Sequence, residues 1–279
     1  MRRLLPLVLT RAALVAANAP GPCRVLLVRH GETNFNAAGR IQGTLESELT
    51  SKGQSQAVKL GEFIHEAEAK DVDRVYVSPK KRTRQTLAGI ESAQTLALPA
   101  AEVRPGLREI ELTVWEGKLK SDLLENDPRW EVWNAKPASF VFAEDGHAPL
   151  GDLKRRAAEE WAALVAATPA GSTSLVVAHG AFNRVLLLTA LGLPVDDFGF
   201  KDGHFAFENC ALVELRWEPG DTHAAAWRKR YPTESEWRSR EVEATRRAEV
   251  EGGEPPDVEA AEHGARVQGQ QHQKGKEEL

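Results

Sequence analysis

The chain has 279 residues, of which 42% are hydrophobic, and it carries a formal net charge of −5. This length allows one large domain or two small ones, and the hydrophobic content is sufficient for a buried core. The charge balance is not that of a nucleic-acid-binding protein, and no apolar run reaches the roughly 20 residues that cross a bilayer, so we expect neither nucleic acid nor a membrane as a partner. Two distant cysteines, Cys23 and Cys210, exclude a disulfide framework or a cysteine-built zinc site and favour a reducing compartment.

Residues 1–23 differ in composition from the rest of the chain. They contain three arginines and no acidic residue, and the first acidic residue of the chain is Glu32. Arg11 interrupts the apolar run at residues 4–17, whereas a secretory signal has an unbroken apolar centre. An Arg-rich, acid-poor, amphipathic segment is typical of an organellar transit peptide. We therefore predict a targeting leader over residues 1–23, with an ordinary disordered extension as the alternative.

The first predicted strand is the apolar run at residues 25–28, which ends in the Arg-His-Gly sequence of residues 29–31. A continuous run of aliphatic and β-branched residues is typical of a fully buried strand. Residues 34–51 are polar and contain two glycines, which predicts a loop. A Thr-Ser pair at the end of this loop precedes apolar residues at helical spacing, which predicts a capped amphipathic helix up to residue 64.

Strands and helices are predicted to alternate along the next part of the chain. In order they are a strand at residues 72–77, a helix within 80–98, a short strand and loop at 103–111, a tryptophan-rich helical insertion at 115–137, a helix at 153–167, a strand at 174–178, a helix at 182–191 and a last strand at 210–217. This alternation predicts an α/β fold, a three-layer α/β/α sandwich with a mostly parallel central sheet. We expect a single domain over residues 24–217.

The composition changes again after Trp217. Residues 238–279 are dominated by Arg, Glu, Gly, Gln and Lys and contain almost no large apolar side chain. Such a segment cannot bury enough apolar surface to offset the entropy that is lost on ordering. We predict that residues 218–279 form a charged, mostly disordered tail.

Two of the predicted buried strands end in a histidine followed by a glycine. The first strand runs into His30 and Gly31, and the strand at residues 174–178 runs into His179 and Gly180. If the two strands are parallel neighbours, their carboxyl ends lie side by side, where open α/β sheets bind ligands. Both histidines would then face one cleft, and the glycines would let the backbone pass close to a ligand.

Two arginines are predicted to reach the same cleft. Arg29 precedes His30, and Arg82 lies near the start of a helix just after another strand end. A guanidinium matches the oxygens of a phosphate, and helix N-termini add N–H donors. Two histidines and a carboxylate, Glu109 or Glu32, could instead hold a metal ion. Two fixed positive charges repel a divalent cation and keep a neighbouring imidazole neutral, so the pattern favours phosphoryl transfer with no metal and no cofactor.

Four sequence motifs resemble those of the histidine phosphatase superfamily, which is also called phosphoglycerate mutase-like. They are Arg29-His30-Gly31-Glu32-Thr33 with Asn36, SPKKRTRQT at residues 78–86, Leu107-Arg108-Glu109-Ile110 followed by Trp115-Glu116-Gly117, and Ala178-His179-Gly180. The resemblance covers about residues 24–217. Residues 39–53 are similar to a plant and cyanobacterial group that includes 2-carboxy-D-arabinitol 1-phosphate phosphatase-like proteins.

The resemblance implies the phosphoglycerate mutase-like fold and a role for each motif residue. His30 would attack phosphorus and carry a covalent phosphohistidine, which splits one displacement into two easier steps. Arg29, Arg82 and His179 would hold the phosphoryl oxygens, and Glu109 would act first as acid and then as base. The substrate-binding residues would be Arg29, Asn36, Gln42, Arg82, His179 and Gly180.

The implied activity is hydrolysis of a small phosphomonoester, either a sugar phosphate or a phosphorylated sugar acid, by a metal-independent phosphatase. A phosphoglycerate mutase is an alternative on the same fold. The superfamily's cofactor-dependent mutases have a Gly-Trp pair where this chain has residues 40–43, so we expect water to receive the phosphoryl group. A second alternative is a catalytically silent phosphate-binding or regulatory protein. Glu111 and Glu116 are alternatives to Glu109 as the proton donor.

A small phosphorylated metabolite is the predicted partner of the chain, and a homodimer is possible. Similarity to the plant group, together with the predicted leader, implies an organelle and specifically the chloroplast. The cytoplasm is the alternative location.

Overall fold

A computed structural model of the chain describes residues 21–68, 72–93, 98–195, 205–232 and 238–239. Residues 1–20 of the predicted leader lie outside the described residues, as do most residues of the predicted tail. The chain divides into two units, Met1–Trp237 and Arg238–Leu279. The element described in the second unit is a two-residue strand, Arg238–Ser239.

The first unit is built around one β-sheet. Its described strands are β1 (Cys23–Arg29), β2 (Val72–Val77), β3 (Ala101–Val103), β4 (Thr173–Ala178), β5 (Leu212–Trp217) and β6 (Ala226–Tyr231). They lie in the order β3-β2-β4-β1-β5-β6. The first four in this order are parallel to one another, whereas β5 is antiparallel to β1 and β6 is antiparallel to β5. The sheet is therefore mostly parallel, as predicted.

Helices precede or follow most of these strands. The α-helices are α1 (Asn34–Ala37), α2 (Ser51–Glu68), α3 (Lys81–Ser92), α4 (Lys120–Asn126), α5 (Pro128–Ala135), α6 (Pro149–Ala167) and α7 (Gly180–Ala190), and 3₁₀ turns occur at Pro105–Leu107, Thr113–Trp115 and Pro137–Ser139. None of the helices that the structure describes is long and apolar enough to cross a membrane.

The sheet is buried on both faces. In β1, the side chains of Val25 and Leu27 pack on the side of α6 and α7, and those of Leu26 and Val28 pack on the side of α2 and α3. Burial on both faces explains the continuous apolar run of this strand, because neither face needs polar residues. The three-layer α/β/α sandwich is therefore confirmed.

Three elements differ from the prediction. The segment predicted as a loop contains α1, because Thr33 caps this helix and exchanges hydrogen bonds with Asn36 in a capping box. β3 ends at Val103, where we expected a strand to begin, and Pro105, which has no N–H for a strand ladder, lies in a 3₁₀ turn. β6 follows the strand that we predicted to be the last. Its sequence, AWRKRY, lacks the apolar pattern of the other strands.

A fully buried glutamate, Glu214 of β5, explains the charged composition of β6. Its Oε1 accepts hydrogen bonds from Nε of Arg24 and Nε of Arg216, and its Oε2 accepts from Nε of Arg228 and Nη1 of Arg230, each at 2.9 Å. Burial by itself would raise the pKa of this carboxyl group. The arginines, led by Arg24, outweigh burial and lower the pKa of Glu214 to about 2. One carboxylate therefore joins β1, β5 and β6.

We expect Glu214→Gln to lower the free energy of unfolding by about 3–5 kcal/mol, because the substitution removes a buried negative charge to which four arginines donate hydrogen bonds. The matched control is Glu208→Gln. The carboxylate of Glu208 pairs with Lys229, and the side chain of this glutamate is 58% exposed. That change should cost less than about 1 kcal/mol. Urea unfolding measures both values.

The acid dependence of stability provides a second readout of the same substitution. An unfolded glutamate has a pKa of about 4.3, so the stabilisation by Glu214 is complete above that pH. It is lost as the pH falls toward the folded-state pKa of about 2. Glu214→Gln should remove this part of the acid dependence, and an unchanged dependence would contradict the assignment.

Candidate active site

The carboxyl ends of β1, β4 and β2 lie side by side. Parallel pairing sets Arg29 level with Ala178, so His30 and His179 come next on the two strands. The backbone N–H of His30 donates to the carbonyl of Ala178 at 3.1 Å, and the two imidazole centroids are 5.4 Å apart. Ser78, at the end of β2, donates its backbone N–H to β4 at 3.1 Å. The structure thus brings the two predicted histidines together at the expected edge of the sheet.

His30 is a neutral imidazole with a defined tautomer. Its side chain is buried, and its Nδ1 lies 2.8 Å from the carbonyl oxygen of Gly31. A carbonyl can only accept, so Nδ1 carries the proton and Nε2 keeps a free lone pair. Burial, followed by the charges of Arg29 and Arg82, holds the pKa of His30 well below its usual range. An unprotonated Nε2 can act as a nucleophile.

His179 has both ring nitrogens bound to protein groups. The Nε–H of Arg82 donates to its Nδ1 at 3.2 Å, which leaves the ring proton on Nε2, 2.8 Å from the hydroxyl of Ser78. Burial, followed by the charge of Arg82, holds the pKa of His179 well below its usual range. In this neutral form the ring has no free N–H. The predicted contact with a phosphoryl oxygen therefore requires the ring to exchange one of these two protein hydrogen bonds for a bond to the ligand.

The two arginines are oriented by backbone carbonyl groups. Arg82 is fully buried and also donates from Nη2 to Gly43 at 2.9 Å and from Nη1 to Leu45 at 2.8 Å. With the bond to the histidine, three of its five N–H groups are used, and two remain for a ligand. Arg29 donates from Nη1 to the carbonyl of Phe207 at 2.6 Å. Its buried Nε has no hydrogen-bond partner in the described part of the chain, and an anion at this point would satisfy it.

The glycines that follow the two histidines make room for neighbouring protein groups. A Cβ on Gly31 would lie 2.6 Å from the carbonyl oxygen of Gly53 in α2. A Cβ on Gly180 would lie 3.1 Å from Nε of Arg29. The first glycine lets α2 approach the end of β1, and the second lets the arginine side chain lie against the start of α7.

Glu109 is held by backbone N–H groups at the start of α7. Its Oε1 accepts from Phe182 at 3.0 Å and from Ile110 at 2.9 Å, and its Oε2 accepts from Ala181 at 3.3 Å. Because α7 begins directly after His179, these bonds bring the carboxylate to the same edge of the sheet as the histidines.

A cavity of about 280 Å³ opens at these strand ends, a volume that suits a small-molecule ligand. The predicted residues that line it are Arg29, His30, Asn36, Gln42, Glu109 and Gly180. The side chains of Arg82 and His179 are fully buried and are not among its lining residues.

Two side-chain amides present polar atoms to the cavity. The Oδ1 of Asn36 accepts from the backbone of Thr33 at 3.3 Å and from Nδ2 of Asn209 at 3.1 Å, which leaves the Nδ2 of Asn36 as a donor. Gln42 is buried, and its Oε1 has no partner among the described residues. Asn209 also donates to the carbonyl of His30 at 3.0 Å, so it links two predicted residues that the sequence alone did not connect.

The cavity contains further side chains that the sequence did not identify as functional. Five of them are Arg40, Lys120, Trp130, Trp133 and Arg184. Three of these are cationic, and Glu109 is the one acidic residue among the lining residues, so the cavity favours an anionic ligand. Arg184 lies one helical turn after Gly180 and could have been found from that spacing. The two tryptophans belong to the predicted tryptophan-rich insertion at residues 115–137.

The other carboxylates that we considered do not line the cavity. Glu32 pairs with Lys52 at 2.7 Å, and Glu111 is exposed. The two oxygens of Glu116 accept hydrogen bonds from the backbone and hydroxyl groups of Thr44. Among the described residues, no group of three or more His, Cys, Asp or Glu side chains could hold a metal ion.

The chain belongs to the histidine phosphatase superfamily (branch 1), whose family model matches residues 25–230. The match extends past the predicted domain end at Trp217 and includes nearly all of β6. The predicted resemblance to this superfamily, from which the roles of the site residues were inferred, is therefore confirmed at the level of the family.

Relatives of this family include both phosphatases and mutases. The 2-carboxy-D-arabinitol-1-phosphatase of Triticum aestivum is 36% identical over 178 residues, which are 63% of this chain but 34% of the wheat protein, so the chain spans about a third of that relative. A protein of Klebsiella pneumoniae named probable phosphoglycerate mutase GpmB is 32% identical over 209 residues, or 73% of this chain and 89% of that protein. The solved structure of Bacillus stearothermophilus YhfR has a TM-score of 0.61 and 26% identity, and the match covers 72% of this chain and 95% of YhfR.

We expect His30 and His179 to remain neutral well below pH 6.5 in the ligand-free protein, because burial and the arginines lower both pKa values. Nitrogen-15 NMR of the imidazole rings should show the proton on Nδ1 of His30 and on Nε2 of His179. Unfolded histidines bind protons near pH 6.5 while these rings do not, so the free energy of unfolding should fall as the pH drops below about 6.5. Titration of either ring near that pH would contradict the assignment.

Proposed function

We propose that the protein is a phosphatase that hydrolyses a small phosphomonoester, without a metal ion, through a phosphohistidine at Nε2 of His30. The observation that carries the proposal is the state of His30, whose proton is on Nδ1 and whose Nε2 is free. The unpaired Nε of Arg29 is a donor for an anion at the same strand end. The nucleophilic Nε2 of His30 and a cationic group that can bind a phosphate, the guanidinium of Arg29, therefore occur at the same strand end.

In the first step, Nε2 of His30 attacks phosphorus, an N–P bond forms, and the P–O bond to the leaving group breaks. Glu109 donates a proton to the leaving oxygen. Arg29 and Arg82 hold the phosphoryl oxygens as charge is redistributed in the transition state. The bond from Nδ1 to Gly31 keeps the ring oriented throughout this step.

In the second step, water attacks the phosphohistidine and the N–P bond breaks. Glu109 accepts a proton from the attacking water, which restores the proton that it gave to the leaving group. His30 returns to its neutral form, and inorganic phosphate leaves. The net reaction is ester and water to alcohol and phosphate.

The arginines are the basis for proposing a mechanism without a metal. In phosphoryl transfer the protein mainly positions the reactants and stabilises charge, and bound cations commonly supply that charge. Here the guanidinium groups of Arg29 and Arg82 lie close enough to His30 to depress its pKa. The same fixed charges would stabilise the phosphoryl oxygens.

A sugar phosphate or a phosphorylated sugar acid is the proposed substrate. The cavity has the volume of a small-metabolite site, and the cationic lining residues Arg40, Lys120 and Arg184 suit an anionic ligand. The amides of Asn36 and Gln42 can bind hydroxyl groups. The similarity to the wheat phosphatase supports the same substrate class. Phosphate release from a panel of sugar phosphates and phosphorylated acids would identify the compound.

We expect His30→Ala to lower kcat for an aryl phosphate by about 10³-fold or more, because the variant lacks the proposed nucleophile. Radioactive phosphate from substrate should label the wild-type protein in an acid-labile, alkali-stable form, and the variant should lose this label. His65→Ala, on the exposed face of α2, is the matched histidine control and should keep both activity and label.

Two outcomes would overturn parts of this proposal. A label that persists in His30→Ala would move the nucleophile to another residue. Loss of wild-type activity in the presence of a chelator would refute the metal-free mechanism.

A phosphoglycerate mutase is the second candidate, and the similarity to the Klebsiella protein favours it. A mutase must return the phosphoryl group to a second hydroxyl, so it has to protect the phosphohistidine from water. Arg40 and Lys120 line the cavity and are both exposed, which indicates that solvent reaches this wall. We therefore favour water as the acceptor.

With 3-phosphoglycerate as substrate and 2,3-bisphosphoglycerate as primer, we expect inorganic phosphate to be the main product. Phosphorus-31 NMR of the mixture distinguishes this product from 2-phosphoglycerate. Formation of 2-phosphoglycerate faster than inorganic phosphate would establish the mutase.

A third candidate function is a catalytically silent phosphate-binding protein. A silent protein would bind phosphate without forming the label described above.

The chloroplast is the proposed location of the protein, with the cytoplasm as the alternative. The acid-free, arginine-containing composition of residues 1–23 and the similarity to a plant phosphatase support the chloroplast, while the similarity to a bacterial protein is compatible with the cytoplasm.

A further inference from the structure

Residues 43–45, here called the 43–45 loop, present three successive carbonyl groups to cations at the start of α3. The carbonyl of Gly43 accepts from Nη2 of Arg82 at 2.9 Å, and that of Leu45 accepts from Nη1 of Arg82 at 2.8 Å. The carbonyl of Thr44 accepts from Nζ of Lys80. Two of the three protein bonds of the Arg82 guanidinium are therefore made to this loop, so the loop sets the plane of the guanidinium.

The carboxylate of Glu116 holds the opposite side of the same loop. Its Oε1 accepts from the backbone N–H of Thr44 at 2.8 Å and of Leu112 at 3.1 Å, and its Oε2 accepts from the hydroxyl of Thr44 at 2.6 Å. Gly43 has a φ of +51°, and a Cβ there would lie 1.9 Å from Oε1. A residue without a side chain is thus needed at position 43 for the carboxylate to reach the loop.

Backbone pairing fixes Glu116 relative to the loop. The N–H of Gly117 donates to the carbonyl of Ile41 at 2.8 Å, and the N–H of Ile41 donates to the carbonyl of Lys118 at 2.9 Å. Glu116 therefore approaches the 43–45 loop from a segment that is already paired with the residues just before it. The carboxylate is not among the residues that line the cavity, and the hydrogen bonds of both its oxygens are to residues 44 and 112.

We propose that Glu116 is a positioning residue for phosphate binding, which holds the 43–45 loop so that its carbonyl groups orient the guanidinium of Arg82. This inference rests on the proposed function, because it takes Arg82 as a ligand of the phosphoryl group. Removal of the Glu116 carboxylate frees the loop and lets the guanidinium rotate, while the positive charge of Arg82 stays. The expected effect is weaker binding of a phosphate oxyanion.

The first test compares Glu116→Ala with Glu116→Gln, using calorimetric titration of the full chain with inorganic phosphate. The glutamine keeps an acceptor for backbone N–H groups and gains a donor for the hydroxyl of Thr44, so it can still hold the loop. We expect Glu116→Ala to weaken phosphate binding roughly 10- to 100-fold, the range seen when a residue that orients a metal ligand is removed. Glu116→Gln should restore affinity to within a few fold of the wild type.

Steady-state kinetics of the same variants separate positioning from proton transfer. If Glu116 were the proton donor, the glutamine variant would be as inactive as the alanine variant and would also lose one limb of the pH profile. That result, with unchanged phosphate affinity in both variants, would overturn the inference. Glu125→Ala, an exposed glutamate of α4, is the control and should bind phosphate like the wild type.

A milder variant covers the case in which Glu116→Ala does not fold. Thr44→Val removes the hydroxyl bond to Glu116 with little change in volume, and thermal unfolding verifies that the protein is folded. We expect a smaller but measurable loss of phosphate affinity. A folded Thr44→Val protein with wild-type affinity would count against the loop as the connection.

A double-mutant cycle shows whether Glu116 acts through Arg82. In an Arg82→Lys background the two guanidinium bonds to the loop are already lost, so Glu116→Ala should weaken phosphate binding little further. Additive losses would indicate a separate structural role and overturn the inference. A wild-type protein that binds phosphate but hydrolyses no ester would refute the proposed function alone, whereas one that binds no phosphate would refute both.

Discussion

The register of one pair of strands determines the whole site. β1 and β4 are parallel, and Arg29 lies level with Ala178, so the next residue of each strand is a histidine at the same height. Side chains alternate along a strand, and a slip by one residue would turn one of the two rings to the other face of the sheet. Because the register is correct, His30 and His179 approach to 5.4 Å between ring centroids in a buried position. Burial next to arginines then makes both rings neutral, and the proposed nucleophile depends on that neutrality.

The same sheet contains buried charge in two contrasting arrangements. At Glu214 a carboxylate accepts four hydrogen bonds from arginines, and its capacity as an acceptor is used in full by protein groups. At the active site the cations exceed the carboxylates, and Nε of Arg29 has no partner among the described residues. Buried donors are normally satisfied. The first arrangement therefore stabilises the fold, while the second leaves a donor that a bound anion would satisfy.

Much of the fold was predictable, because strands buried on both faces are continuous apolar runs. The apolar pattern identified the strands at residues 72–77 and 174–178, and it also identified β1, which leads into Arg-His-Gly. β6 was missed for the opposite reason. Two of its charged residues, Arg228 and Arg230, bond to Glu214, which lies on the neighbouring strand and has no local sequence signal. Lys120 and Arg184 were likewise missed as cavity residues, because the insertion and α7 contribute to the cavity only after the chain has folded.

Residue type and local pattern determined which side chains end the strands, and with the family resemblance they were sufficient to nominate His30, Arg82 and Glu109. Tertiary structure alone decided the protonated nitrogen of each histidine and the acceptors of the Arg82 guanidinium. It also decided that Glu116 holds a loop and does not face the cavity. The physical reason is that each of these properties is set by a hydrogen-bond partner distant in sequence, as with Arg82 and His179, which are 97 residues apart. A local pattern carries no information about such partners until the strands have paired.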